Sequence, residues 1–256
     1  MTRYHNLSRA PLVRLFLALI ALALVYALTL AARNGLADLY ARPAKNYLQD
    51  RRDEDIALTE TEWQAIDVNL RRALDLAPND PVTLTELARL HRIQLESESL
   101  DRAEFERSGE SSIEYYEQAA VLRPTWPWGW SSLAEVRYEL YQETGTPYHQ
   151  ALIHAAHFGP WEEHVQRLVA ELGFDTWASL SADARQAVLN TIDRGLRRQP
   201  AEIDAIIGSE QGWQTLCRDM LPLAASRPNG GRPDNLSSLR GHCESLTAQS
   251  PSEPAN

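Results

Sequence analysis

Four histidines, His149, His154, His157 and His164, lie close together in the chain. Spaced three apart, His154 and His157 would share one face of a helix. A zinc site needs three or four converging ligands with a supporting shell of hydrogen bonds. The sequence has no His-Glu-x-x-His and no cysteine pair beside these histidines, so they read as surface or core residues, and no metal or other cofactor is expected. The aromatic run Trp126-Pro127-Trp128-Gly129-Trp130 could stack on sugar rings. Its competing reading is packing: Pro127 suits the first turn of a helix, Trp130 and Trp126 suit a hairpin core and its turn, and only Trp128 is left without a packing role. Carboxylates are plentiful, but those at Glu96, Glu98, Asp101, Glu104 and Glu106 have the spacing of a solvated helix face. No nucleophile elbow, phosphate-binding glycine loop or dinucleotide fingerprint is present. No catalytic residue is therefore expected, and the chain reads as a non-enzyme. Cys217 and Cys243 are the two cysteines; they read either as a disulfide formed in an oxidising compartment or as two separate thiols.

The elements that would carry these residues begin with a membrane segment. Residues 15–32 read LFLALIALALVYALTLAA, without a charge, and as a helix would reach about 27 Å, roughly the thickness of a hydrocarbon core. The run is longer than the apolar region of a cleaved signal peptide and lacks a good small-x-small cleavage site. Residues 1–14 carry Arg3, Arg9 and Arg14 and read as a cytoplasmic tail, which would place the rest in the periplasm of a bacterium. Beyond residue 32 the chain carries 22 basic and 35 acidic residues, a net 22 − 35 = −13. Such a surface repels nucleic acid, so no nucleic-acid partner is expected. Lys45 is the single lysine among 25 basic residues; this arginine bias reads as coding-genome composition and marks no site.

Residues 33–59 read as a connector that serves as a spacer, and residues 226–256, rich in Pro, Gly, Ser and Asn, as a disordered and dispensable tail. Between them, residues 60–225 have apolar spacings of three and four and weak strand signals, which predict an all-α domain. An internal repeat sharpens this. Ala73-Leu74-Asp75-Leu76-Ala77-Pro78 recurs as Ala119-Ala120-Val121-Leu122-Arg123-Pro124 and as Ala155-Ala156-His157-Phe158-Gly159-Pro160. The same offsets carry Leu87-Ala88 onto Leu133-Ala134 and Val169-Ala170. Small residues let paired helices approach closely, and the proline stops one helix and sets the turn to the next. This pattern resembles the tetratricopeptide family, with Trp130, Ala119 and Ala134 in that family's slots. The longer first spacing implies an insertion, placed at residues 96–109. Gly195-Leu196 and Pro200 suggest a degenerate fourth hairpin, with Trp177 and Trp213 sealing the end.

Leu122-Arg123-Pro124-Thr125-Trp126-Pro127, Trp130-Ser131-Ser132-Leu133-Ala134 and Phe158-Gly159-Pro160-Trp161-Glu162 are similar to segments of the VpsP-type polysaccharide biosynthesis proteins of Gram-negative bacteria. The resemblance also takes in the N-terminal apolar segment and the first alanine–proline hairpin. It implies an accessory role in exopolysaccharide production and export, with other proteins of an assembly machine as partners and no reaction of its own. The expected partner surface is the first helix of each hairpin, with Arg89 and Arg137 as exposed contacts and Trp128 as a further candidate. Two other readings fit the same pattern: a different periplasmic repeat adaptor, as in cytochrome c maturation, and a direct polysaccharide binder or enzyme using Trp128.

Overall fold

The computed structural model describes residues 9–54, 58–96, 100–141, 145–225 and 236–249. It is all-α, with no strand among the described residues. The chain forms two compact units, residues 1–90 and 91–256.

The first unit is built on α1 (Arg9–Glu54), α2 (Glu60–Leu76) and the first part of α3 (Pro81–Leu95). The N-terminal half of α1 is apolar and exposed from Val13 to Leu30, and is long and apolar enough to cross a membrane. The helix does not stop where the apolar run ends. It continues to Glu54, and its Ala37, Ala41, Ala44 and Leu48, spaced four, three and four, are buried in a seam against α2. Residues 33–59 are thus no spacer for most of their length. The alanine stripe lets the helices come close, and Lys45 beside it reaches Asp80 in the turn after α2 at 3.7 Å. Pro43 lies inside α1 on an exposed face, where the carbonyl it leaves without a helical partner is open to water. The start of α2 is fixed by a capping box. The Thr59 side chain accepts from the Glu62 amide at 3.3 Å, and the Glu62 carboxylate accepts from the Thr59 amide at 2.9 Å. Trp63 donates its indole N–H to the Leu90 carbonyl at 3.3 Å, which holds the far ends of the α2–α3 hairpin together.

The second unit contains the end of α3 and α4 (Arg102–Leu122), α5 (Pro127–Tyr141), α6 (Thr146–Phe158), α7 (Glu163–Asp175), α8 (Ala182–Arg198), α9 (Pro200–Ile207), α10 (Glu210–Ala225) and α11 (Ser237–Gln249). Consecutive helices pair as hairpins, α4 with α5, α5 with α6 and α7 with α8. In addition α5, α7 and α9 pack in sequence along one layer, and α6 on α8 forms the other. Gly173 on α7 marks a close approach in this core, since a Cβ there would collide with the Val188 side chain of α8. The left-handed turn after α9 is taken by Gly208 at φ 69°.

The repeated sequence units map onto one local geometry. At each turn the capping amide returns to the small residue four positions back: Ala77 to Ala73, Arg123 to Ala119 and Gly159 to Ala155, each at 2.9 Å, and Gln199 to Gly195 at 2.7 Å. Three positions beyond the capping residue of the first three turns, a second amide closes the bend, as Asp80 to Ala77, Trp126 to Arg123 and Glu162 to Gly159. The small residue admits the neighbouring helix and the bend reverses the chain. In the region expected to hold an insertion, α4 begins at Arg102 under an Asp101/Glu104 capping box, so residues 102–109 lengthen a helix.

Residues 226–256 were expected to be disordered; α11 corrects this for residues 236–249, and the rest of the segment lies outside the described residues. Leu236, Leu239 and Cys243, spaced three and four, are buried on α8 and α10, and Cys217 and Cys243 are joined by a disulfide with their Cα atoms 5.7 Å apart. Averaged over the segment the composition is polar, but three apolar positions in register and one covalent link are enough to dock a short helix. Trp177 and Trp213 are both buried in this unit.

Candidate partner-binding face

Arg89 belongs to the first unit and Trp128 and Arg137 to the second, and none is a free contact. Arg89 lies in the first unit with its side chain 13% exposed; it donates to the Leu48 carbonyl of α1 and sits 3.6 Å from Glu86. Arg137 on α5 is equally covered, at 13%. It donates to the Pro147 carbonyl of α6 at 2.7 Å and pairs with Glu117 of α4. Both arginines lay their carbon stems along neighbouring helices and spend their donors on backbone and carboxylate partners, so they hold helices together and the expectation of exposure is corrected. Trp128 acquires the packing role that it lacked: its ring stacks on His164 of α7, 5.1 Å between centroids and 10° between planes. Trp130 is half-buried, its indole N–H donated to the Pro124 carbonyl at 2.8 Å and its ring edge-on to His154 at 4.4 Å. Trp126 carries the Arg123 guanidinium over its face at 4.9 Å.

The histidines follow the aromatics. His149 lies against Tyr148, His154 against Trp130, His157 against Phe158 and His164 against Trp128. Burial holds the His149 and His154 imidazoles below their ordinary pKa, and the neighbouring His157 adds to this for His154. Among the described residues no group of three or more His, Cys, Asp or Glu is placed to hold a metal ion.

What the structure assembles, and the helix-face reading of the carboxylates passed over, is an ionic cluster where the end of α3 meets α5. Arg92 reaches Glu135 at 2.9 Å, Glu139 at 3.3 Å and Glu96 at 3.7 Å. Burial pushes the Glu135 carboxyl up to about 7, with Arg92 opposing and the charges of Glu139, Glu171 and Glu96 adding. Glu139 is raised in the same way, again by burial first. One guanidinium thus faces more carboxylates than it can neutralise, and the cluster can take up a proton near neutral pH. The signal in the sequence is Glu135 and Glu139, four apart on a helix whose neighbouring positions Leu133, Ala134, Val136 and Leu140 are buried. A second feature is Trp161, 65% exposed in the α6–α7 turn. In the sequence it is marked only by its place in the Gly-Pro-Trp-Glu segment.

No family model matches the chain, and no curated protein matches it.

Proposed function

We propose that this chain is a non-catalytic, single-pass inner-membrane scaffold whose tetratricopeptide-like domain lies in the periplasm and holds other proteins of an exopolysaccharide assembly and export machine. The observation that carries the reading is the continuity of α1. One helix begins as an exposed apolar rod from Val13 and ends as a buried wall of a helical unit at Leu48, which is how a domain is held at a fixed place on a membrane surface. The recurring turn at Ala77, Arg123 and Gly159 supports a helical-repeat module, whose exposed helix layer is a protein-binding surface. In the second unit that layer is α5, α7 and α9, on which Glu171 of α7 is exposed to a basic partner. The Cys217–Cys243 disulfide supports an oxidising compartment. The polysaccharide pathway rests on the resemblance through Arg-Pro-Thr-Trp-Pro and Gly-Pro-Trp-Glu to VpsP-type proteins.

Deleting the gene tests the reading. Surface polysaccharide should fall while growth continues, and the tagged full chain should sediment with inner membranes and be open to protease added from the periplasmic side. Normal polysaccharide in the deletion strain would remove the pathway assignment, and a protein released from membranes by salt alone would remove the anchor.

A further inference from the structure

The stripe of α1 that packs on α2 runs on, past Ala37, to Asn34, Arg33 and Leu30. There it diverges from the turn joining α2 to α3 and leaves a cavity of about 670 Å³, within the range of small-ligand sites. Leu30, Arg33 and Ala37 form one wall, and Pro78, Asn79 and Val82 the other.

The charges around this cavity are unevenly matched. Asp80 accepts from the Val82 and Thr83 amides at 3.2 and 3.1 Å and has Lys45 at 3.7 Å. These bonds and that charge outweigh burial and hold its carboxyl below the ordinary range. Asp38 is paired with Arg42 at 2.5 Å. Both anions of the lining are therefore satisfied. Arg33 makes no ion pair or hydrogen bond with any described residue. One uncommitted guanidinium then faces a cavity whose other charges, Asp38, Lys45 and Asp80, are paired and whose remaining walls are apolar or neutral, which suits a ligand with a single negative charge and an apolar body. The cavity also has a defined depth. Arg33 is the first charge after the apolar run, roughly 4.5 Å along an unbroken helix from Leu30. In a bilayer spanned by α1, that level is where hydrocarbon gives way to headgroups.

We propose that this cavity binds the phosphodiester and glycerol of a membrane glycerophospholipid, with the phosphate on Arg33 and the first acyl carbons over Leu30, Pro78 and Val82. The proposal rests on the membrane anchoring of α1 given above. The bound lipid fills the wedge between the emerging helix and the α2–α3 turn, and so fixes that turn against the bilayer surface.

The test uses the full chain in lipid nanodiscs containing phosphatidylethanolamine with a diazirine near the glycerol end of one acyl chain and, in a parallel sample that reaches the middle of the span, near the methyl end. Adducts formed on irradiation are mapped by mass spectrometry. The turn at residues 78–82 should be labelled, as should Leu22 and Leu28 on the exposed face of the span. Arg33→Gln should lower labelling of the turn about five-fold, the effect of one interfacial cation, and leave Leu22 and Leu28 unchanged, while Arg33→Lys should retain most of it. A turn that stays unlabelled beside a labelled span, or that is labelled equally in Arg33→Gln, overturns the site and leaves the anchor standing. Loss of the turn adducts on adding inorganic phosphate would mean that the cavity takes a free anion, which also overturns the proposal. If Leu22 and Leu28 are themselves unlabelled, the anchoring reading fails and the lipid site with it.

Discussion

The Asp193 carboxylate of α8 accepts the Leu239 amide of α11 at 2.9 Å, and the same oxygen accepts the Ser238 amide at 2.8 Å. A side chain distant in sequence thereby supplies the N-cap that α11 does not have of its own. The other carboxylate oxygen of Asp193 pairs with Arg197 at 2.6 Å, so this buried charge is satisfied on both sides.

Replacing Asp193 by Ala should therefore cost about 2–3 kcal/mol, more than an ordinary surface cap, because two charge-assisted bonds are lost and two amides are left without an acceptor. The Cys217–Cys243 link acts on the same helix. Its cysteines are 26 residues apart, for which chain entropy gives about 3.5 kcal/mol. Urea unfolding of the wild type with and without reductant, and of Asp193→Ala and Cys217→Ser/Cys243→Ser, would check both. Reduction should make α11 protease-sensitive before the rest of the second unit, and equal resistance in the two states would mean that α11 docks without the link.

How much of this was legible depended on whether a residue's role is local. The turns at Ala77, Arg123 and Gly159 could be read because a small residue and a proline act within a few positions of one another. The docking of α11 could not, since Asp193 and Cys217 lie on other helices and the segment's own polar composition masks Leu236, Leu239 and Cys243. Arg89 and Arg137 misled for a related reason. Arginine on a helix usually reaches water, and only the tertiary fold brings the Leu48 and Pro147 carbonyls within reach. Trp128 looked unassigned because its partner, His164, arrives from α7.

Arg137→Ala should destabilise the domain by about 1–3 kcal/mol, leaving the Glu117 carboxylate and the Pro147 carbonyl without their donor. Arg89→Glu should do at least as much to the first unit, by placing a second carboxylate beside Glu86. Thermal melts of each single variant are the measurement. Unchanged melting temperatures would return both residues to the list of free surface contacts.

The Arg92–Glu135–Glu139 cluster predicts a dependence of stability on pH. Folding raises the Glu135 carboxyl from 4.5 to about 7, so between these values the folded chain keeps a proton that the unfolded chain has released. The stability linked to this group is therefore present below about pH 4.5 and lost as pH rises through 7, with Glu139 acting in the same direction. Glu135→Gln keeps a partner for Arg92 and removes the titration. It should flatten the profile and stabilise the chain at alkaline pH by on the order of 2 kcal/mol. Urea midpoints on either side of neutrality, compared between wild type and Glu135→Gln, would show it, and parallel profiles would sink the assignment.

The docking of α11 changes what truncation should do to function. Removing residues 226–256 strips Leu236, Leu239 and Cys243 from α8 and α10, exposes the apolar surface they cover and leaves Cys217 as a free thiol. A chain ending at residue 225 should then be less abundant in membranes and should restore surface polysaccharide only in part, through loss of stability and without any contact of its own. A chain ending at residue 249 keeps α11, the Asp193 cap and the disulfide, and should restore polysaccharide fully. Raising expression separates the two explanations for a failed rescue. If the shorter chain reaches wild-type abundance and polysaccharide returns, the tail serves the fold. If abundance is normal and polysaccharide stays low, residues 226–249 themselves form part of the partner surface, and the assignment of that surface to the layer of α5, α7 and α9 has to be given up.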